Sequence, residues 1–116
     1  MREFKLTRRF DLYLKDIQYA ISKIKRYTSE MNFESFKSSE IVIDAVLKNL
    51  IVIGEAASQL PENFKAEHSD IPWIFIKDFR NVAVHKYHKI NLAIVWDIVQ
   101  NKLDELHEQV EKILEV

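Results

Sequence analysis

Ser38-Ser39-Glu40-Ile41-Val42-Ile43-Asp44-Ala45-Val46-Leu47-Lys48-Asn49-Leu50-Ile51-Val52-Ile53-Gly54-Glu55-Ala56-Ala57-Ser58-Gln59-Leu60-Pro61 is the stretch whose reading decides the fold. Ile43, Val46, Leu47, Leu50, Ile53 and Ala57 recur at steps of three and four, which lines them up on one stripe of a helix. Ser38 or Ser39 is placed to cap its start, and Pro61 ends it near Leu60. Gly54 sits inside, where it costs about 1 kcal/mol relative to Ala. Close approach of another helix beside Gly54 and Ala57 would compensate.

The same periodicity appears on both sides. Phe10, Leu14, Ile17, Ile21 and Ile24, flanked by Tyr13, Ala20 and Tyr27, predict a helix from about Thr7 to Thr28. Ser29–Ser39 reads as a connector whose Phe33 and Phe36 fold back onto the core. After a polar loop, Asp70-Ile71-Pro72-Trp73 looks like a helix start with Pro in the first turn. That helix turns Trp73, Ile76, Phe79, Val82 and Ala83 inward, and its pattern runs out near His85. Asn91 can cap a last helix whose stripe is Val95, Ile98, Val99, Leu103, Leu106, Val110 and Ile113. The expectation is an all-α, up-and-down bundle of four to five helices, with residues 1–116 as one domain.

Composition agrees. The 116 residues are 47% hydrophobic and 30% charged, which excludes a disordered chain. Folding such a chain reduces about 20,000 Å² of accessible surface to about 6,600 Å², enough for one core. One Gly and two Pro are too few turn residues for a sandwich, a barrel or a glycine-rich phosphate loop. The absence of Cys removes disulfides, thiolate zinc sites and cysteine nucleophiles, and fits a reducing compartment. No stretch resembles a signal peptide or approaches the roughly 18 apolar residues of a membrane span. A soluble, cytoplasmic protein is expected.

The formal net charge of −1 hides a block pattern. Residues 1–27 carry eight Lys/Arg against three Asp/Glu, and residues 28–76 three against eight. Residues 77–91 carry four against one, with His85 and His88, and residues 92–116 two against six. A polyanion could therefore be held only at a local patch.

Chemistry concentrates in Arg80-Asn81-Val82-Ala83-Val84-His85-Lys86-Tyr87. His68, His85, His88 and His107 lack the HExxH or Glu-x-x-His pairing of a metal site. A nucleophilic serine lacks its Gly-x-Ser-x-Gly turn. On a regular helix Arg80 and Tyr87 align, whereas His85 lies about 140° around the axis from Arg80. Sharing a site requires the helix to end or kink near His85, or a second subunit to contribute. Arg offers a permanently charged fork for phosphate oxygens, and His can move a proton near neutral pH. Phosphoryl transfer on RNA fits both: attack by the RNA's own 2′-hydroxyl needs no metal but profits from a base and an acid. One His per chain then points to two chains meeting across a dyad. Each residue alone also has a purely structural reading: a hydrogen-bonded His85, an Arg80 paired with Asp78 or Glu55, an interface Tyr87.

Several of these segments together resemble the HepT-like toxins of the HEPN superfamily, over nearly the whole chain. They are Asp44-Ala45-Val46 through Asn49-Leu50, Ile53-Gly54-Glu55-Ala56-Ala57, Leu60-Pro61, Ile71-Pro72-Trp73, Arg80-Asn81 with His85 and Tyr87, and Ile94-Val95-Trp96 before the acidic last helix. The resemblance implies a dimerising helical bundle that brings two Arg/His motifs together in a cleft. It also implies a metal-independent endoribonuclease without a cofactor, acting as the toxin of a toxin–antitoxin pair. The implied partners are an RNA substrate and a minimal nucleotidyltransferase antitoxin that transfers AMP from ATP to the motif tyrosine. By that resemblance Arg80 and His85 are catalytic, Asn81 is accessory and Tyr87 is the AMP acceptor. An AMP group there would put bulk and negative charge where the RNA phosphate belongs. Many relatives carry an aromatic residue and a Gly soon after the tyrosine; here His88-Lys89-Ile90 follows, so the turn after the motif is expected to differ. Two rival readings are a non-catalytic module that binds the nucleotidyltransferase and a purely structural adaptor.

Overall fold

The computed structural model describes residues 2–85 and 91–115, with side chains over 9–81 and 91–115. Among the described residues the chain forms seven helices: α1 (Arg2–Thr28), α2 (Phe33–Lys37), α3 (Glu40–Ser58), α4 (Glu62–Glu67), α5 (Trp73–His85), α6 (Leu92–Asn101) and α7 (Leu103–Leu114). No described helix is long and apolar enough to cross a membrane.

α3 is the middle of the bundle. It packs against α1 on one side and α5 on the other, while α7 lies along α1. Val46, Leu50 and Ile53 are fully buried, as are Leu14, Ile17 and Ile24 facing them from α1. Ser39 caps α3 by accepting from the Val42 N–H, so the expected helix starts where its side-chain chemistry allows. α1 begins earlier than the sequence pattern suggested, at Arg2 rather than Thr7.

Both connectors contain short helices that periodicity could not reveal at five or six residues. α2 is set by a reciprocal capping box between Asn32 and Ser35, and it drives Phe36 into the core against Trp96, with ring centroids 5.0 Å apart. Phe36 thus folds back as expected. α4 occupies the stretch expected as a polar loop. Its last carbonyls receive the Trp73 indole N–H, which reaches His68 O at 3.0 Å and Lys65 O at 3.2 Å. Phe64 completes the joint, its ring tilted against those of Phe10 and His68 and edge-on to Trp73.

The last helix is two helices. Asn91 caps α6 as expected, accepting from the N–H groups of Ala93 and Ile94. At Lys102, with φ of −117°, the helical ladder is interrupted, and the Val99 carbonyl is met by Lys25 Nζ at 3.5 Å. The apolar stripe continues through the break: Val95, Ile98, Val99, Leu103, Leu106 and Val110 are all buried. Lys25 also pairs with Asp104 at 3.3 Å, fastening α1 to α7. Among the described residues the two buried polar side chains bond within their own helices, Thr28 to Ile24 O and Asn49 to Ala45 O, both at 2.8 Å.

Candidate active site

The candidate site is built on the contact between α3 and α5. Gly54 faces α5 so closely that a Cβ added there would lie 2.9 Å from Arg80 Cβ and 3.3 Å from Arg80 N. The helix whose approach the glycine was expected to permit is therefore α5, and the residue it admits is Arg80. Ile76 and Phe79, both about 1% exposed, fix the rotation of α5 by burying the face toward the core. That rotation leaves Arg80 at the edge of the α3–α5 seam.

One residue after Gly54, Glu55 meets the emerging side chain. Arg80 Nε lies 3.0 Å from Glu55 Oε1, and the two side chains are 53% and 48% exposed. An ion pair this exposed contributes about 0.2–1 kcal/mol, so its consequence is orientation more than stability. A guanidinium has five N–H donors, and a contact through Nε leaves donors over for the oxygens of a phosphate. Of the two carboxylates that the sequence offers as partners for Arg80, the fold selects Glu55. Asp78 instead accepts from Asn81 Nδ2 at 3.4 Å. Asn81 is thus tied to its own helix on an exposed face, and no described hydrogen bond joins it to Arg80.

α5 is helical through His85, the last described residue of this segment. The two motif positions are therefore about 140° apart around one axis. The His85 side chain lies outside the described residues, as does Tyr87 with its flanking residues 86–90. Elsewhere, the His68 ring lies tilted against Phe64, with centroids 4.6 Å apart, and His107 Nδ1 lies 3.6 Å from Glu111 Oε2. Among the described residues no group of three or more His, Cys, Asp or Glu side chains is placed to hold a metal ion. Gly54 and Glu55 are the site residues whose roles sequence reading left open. The Gly-Glu dipeptide on an apolar stripe was the available signal, but it does not name the side chain that fills the gap.

α5 also exposes apolar surface before the motif. Ile74 is 82% exposed and Phe75 partly so, beside an open groove of about 640 Å³ that Glu62, Lys65, Trp73 and Asp78 help to line.

Residues 17–113 match the family described as Ribonuclease HepT-like. "Probable ribonuclease HepT" of Thermococcus cleftensis is 34% identical over 101 residues, spanning 87% of this chain and 92% of the relative. "Putative RNase MJ0127" of Methanocaldococcus jannaschii is 35% identical over 102 residues, spanning 88% and 84%. A third relative, "Gamma-glutamylcyclotransferase and putative RNase MJ0434" of the same organism, is 32% identical over 104 residues; the chain spans 47% of its length. No solved structure matches the chain. A family match over most of the sequence, joined to an all-helical bundle that holds an exposed arginine ahead of the motif histidine, establishes that the chain belongs to the HepT-like ribonuclease family.

Proposed function

We propose that the protein is a metal-independent endoribonuclease and the toxin of a toxin–antitoxin pair, with residues 1–116 as one domain. The observation that carries this reading is the Arg80 guanidinium, braced through Nε by Glu55 and exposed on the helix that also carries the His85 backbone. Arg80 would neutralise the phosphate and the charge that develops on its oxygens during attack. His85 would take the proton from the ribose 2′-hydroxyl, whose oxygen then attacks phosphorus. The P–O5′ bond breaks, and a second imidazole gives its proton to the departing O5′. A 2′,3′-cyclic phosphate and a 5′-hydroxyl result, so the step balances without metal or water.

Base and acid are two histidines here, and the chain offers one per motif. The active form would accordingly be a homodimer with a composite site, in which the partner's motif closes the 140° gap. Exposed Ile74 and Phe75 on α5 support self-association through this helix. Asn81 would steady the motif's exposed side. Tyr87 would accept AMP from ATP in a reaction carried out by a nucleotidyltransferase antitoxin, pyrophosphate leaving as the tyrosine oxygen bonds to the α-phosphorus.

The experiment is cleavage of labelled RNA by purified protein in EDTA. Arg80→Ala and His85→Ala should each lower the rate by about 10²–10⁴-fold, with helix content and melting temperature retained. Cleavage that persists at the wild-type rate in either variant would sink the assignment. Co-expression with the nucleotidyltransferase should add AMP mass that Tyr87→Phe abolishes.

A further inference from the structure

α1 packs against α3, as α5 does, and presents an outer face that the nuclease chemistry does not use. Taking Leu12 as origin and 100° per residue, Arg9, Lys15, Tyr19, Lys23 and Arg26 fall within an arc of about 120° around it. Leu14, Ile17, Ile21 and Ile24 fall opposite and are buried, so this arc is the solvent face. Leu12 is 61% and Tyr19 63% exposed. The side chains are arranged as cations beside rings: Lys23 Nζ lies 4.8 Å from the centroid of Tyr19, and the Arg26 guanidinium 5.5 Å from that of Tyr27. Among the residues whose side chains are described, Asp16 is the one carboxylate within the arc, against four cations.

We propose that this face of α1 is a holding surface for single-stranded RNA flanking the scissile phosphate. The proposal rests on the ribonuclease reading above and deepens it, since it assigns where the substrate is gripped beyond the reacting bond. A ring with an ammonium beside it suits a nucleotide: the base stacks on the aromatic face while the adjoining phosphate meets the cation. Such stacking is tolerant of sequence because every base has a π-face.

Charge favours a polyanion on this face, and the rings beside its cations favour a nucleic acid over an acidic protein. The neighbouring α7 carries Asp104, Glu105, Glu108 and Glu111, so a polyanion reaching this side of the bundle is repelled from α7 and directed to α1. Lys25, tied to Asp104 and the Val99 carbonyl, belongs to the α1–α7 seam and is not part of the grip. Distance allows one strand to touch both places. α1 and α5 each pack against α3, which puts their axes at most about 20 Å apart. Lys15 and Lys23 are about 12 Å apart along α1. A contact so far from the reacting bond should strengthen binding of substrate and transition state alike, and so appear in KM.

The test is fluorescence polarisation of a 5′-labelled twelve-nucleotide oligouridylate across a salt series, in the His85→Ala background so that the probe survives. Lys15→Glu combined with Lys23→Glu should weaken binding at least tenfold. It should also reduce the slope of log K against log salt by about 1.4, two phosphates' worth for a single strand. Tyr19→Ala should weaken binding about tenfold with the slope unchanged, and Tyr19→Phe should restore it. With His85 present, the same surface changes should raise KM for RNA cleavage and leave kcat within about twofold. Binding within twofold of the parent in both Lys15→Glu/Lys23→Glu and Tyr19→Ala overturns the proposal. So does a loss of self-association in sedimentation equilibrium that accounts for the weaker binding, because the face would then be a contact between copies. Salt-dependent binding that follows this pattern in a chain that cuts no RNA would support the grip and remove the nuclease reading. Cleavage with unaltered binding in the variants would do the reverse.

Discussion

Replacing Gly54 with Ala puts two opposed effects on one atom. In an exposed helix interior the change stabilises by about 1 kcal/mol through backbone entropy. Here the new Cβ would lie 2.9 Å from Arg80 Cβ and 3.3 Å from Arg80 N, where relaxed carbon contacts sit at about 3.5–4.0 Å. The obstructing atoms are the backbone and first side-chain carbon of α5, and no rotamer change moves them. α3 and α5 must separate by roughly half an ångström or more, at a cost of about 1–3 kcal/mol for overpacking. The balance is a loss of about 1 kcal/mol, which lowers the melting temperature by roughly 3–6 °C in a domain of this size. Lys48→Ala, on the exposed face of the same helix, is the control and should change stability by no more than about 0.5 kcal/mol. If the chain cuts RNA, Gly54→Ala should cost it more than the melting shift accounts for. A displacement of order 1 Å at a positioned group can cost about a hundredfold in rate. Thermal melts by circular dichroism and single-turnover cleavage are the assays. A Gly54→Ala protein that melts several degrees above the parent would refute the tight α3–α5 contact, since helix propensity alone would then have prevailed.

Three further outcomes are expected. Glu55→Ala should alter stability by less than about 1 kcal/mol, the range of exposed pairs, while reducing RNA cleavage; Glu55→Gln, whose amide oxygen can still face Nε, should retain more of the rate, and equal rates in the two would remove the positioning role. Asn91→Ala, read by chemical denaturation, should cost about 0.5–2 kcal/mol by taking the cap from the Ala93 and Ile94 N–H groups. Phe36→Ala should cost about 3–5 kcal/mol and leave little folded protein at 37 °C, because Phe36 is fully buried against Trp96; a near-native melt would show that α2 does not close the core.

Long-period information was legible in the chain. The stripes of α1, α3, α5 and the α6–α7 pair were readable because burial of one helical face imposes a spacing over several turns. Caps at Ser39 and Asn91 were readable because a side-chain oxygen within one turn of the backbone N–H groups that donate to it is local chemistry. The short helices α2 and α4 were not, since a single turn is too short to carry a period and both are held by partners distant in sequence, Phe36 by Trp96 and Phe64 by Phe10. The break at Lys102 was invisible because the apolar pattern runs through it undisturbed.

Sequence by itself singled out the candidates for the chemistry, one arginine and one histidine five positions apart on a helix, and a glycine that had to face something. Only tertiary structure decided what that something was. Residues 26 positions apart, Gly54 and Arg80, come together because α3 and α5 pack against each other, and that packing sets their axial rotation. The same rotation made Glu55, and not Asp78, the partner of Arg80. Periodicity states which face of a helix is buried; it does not state which neighbour's face is buried against it, because that depends on how all the stripes are satisfied at once.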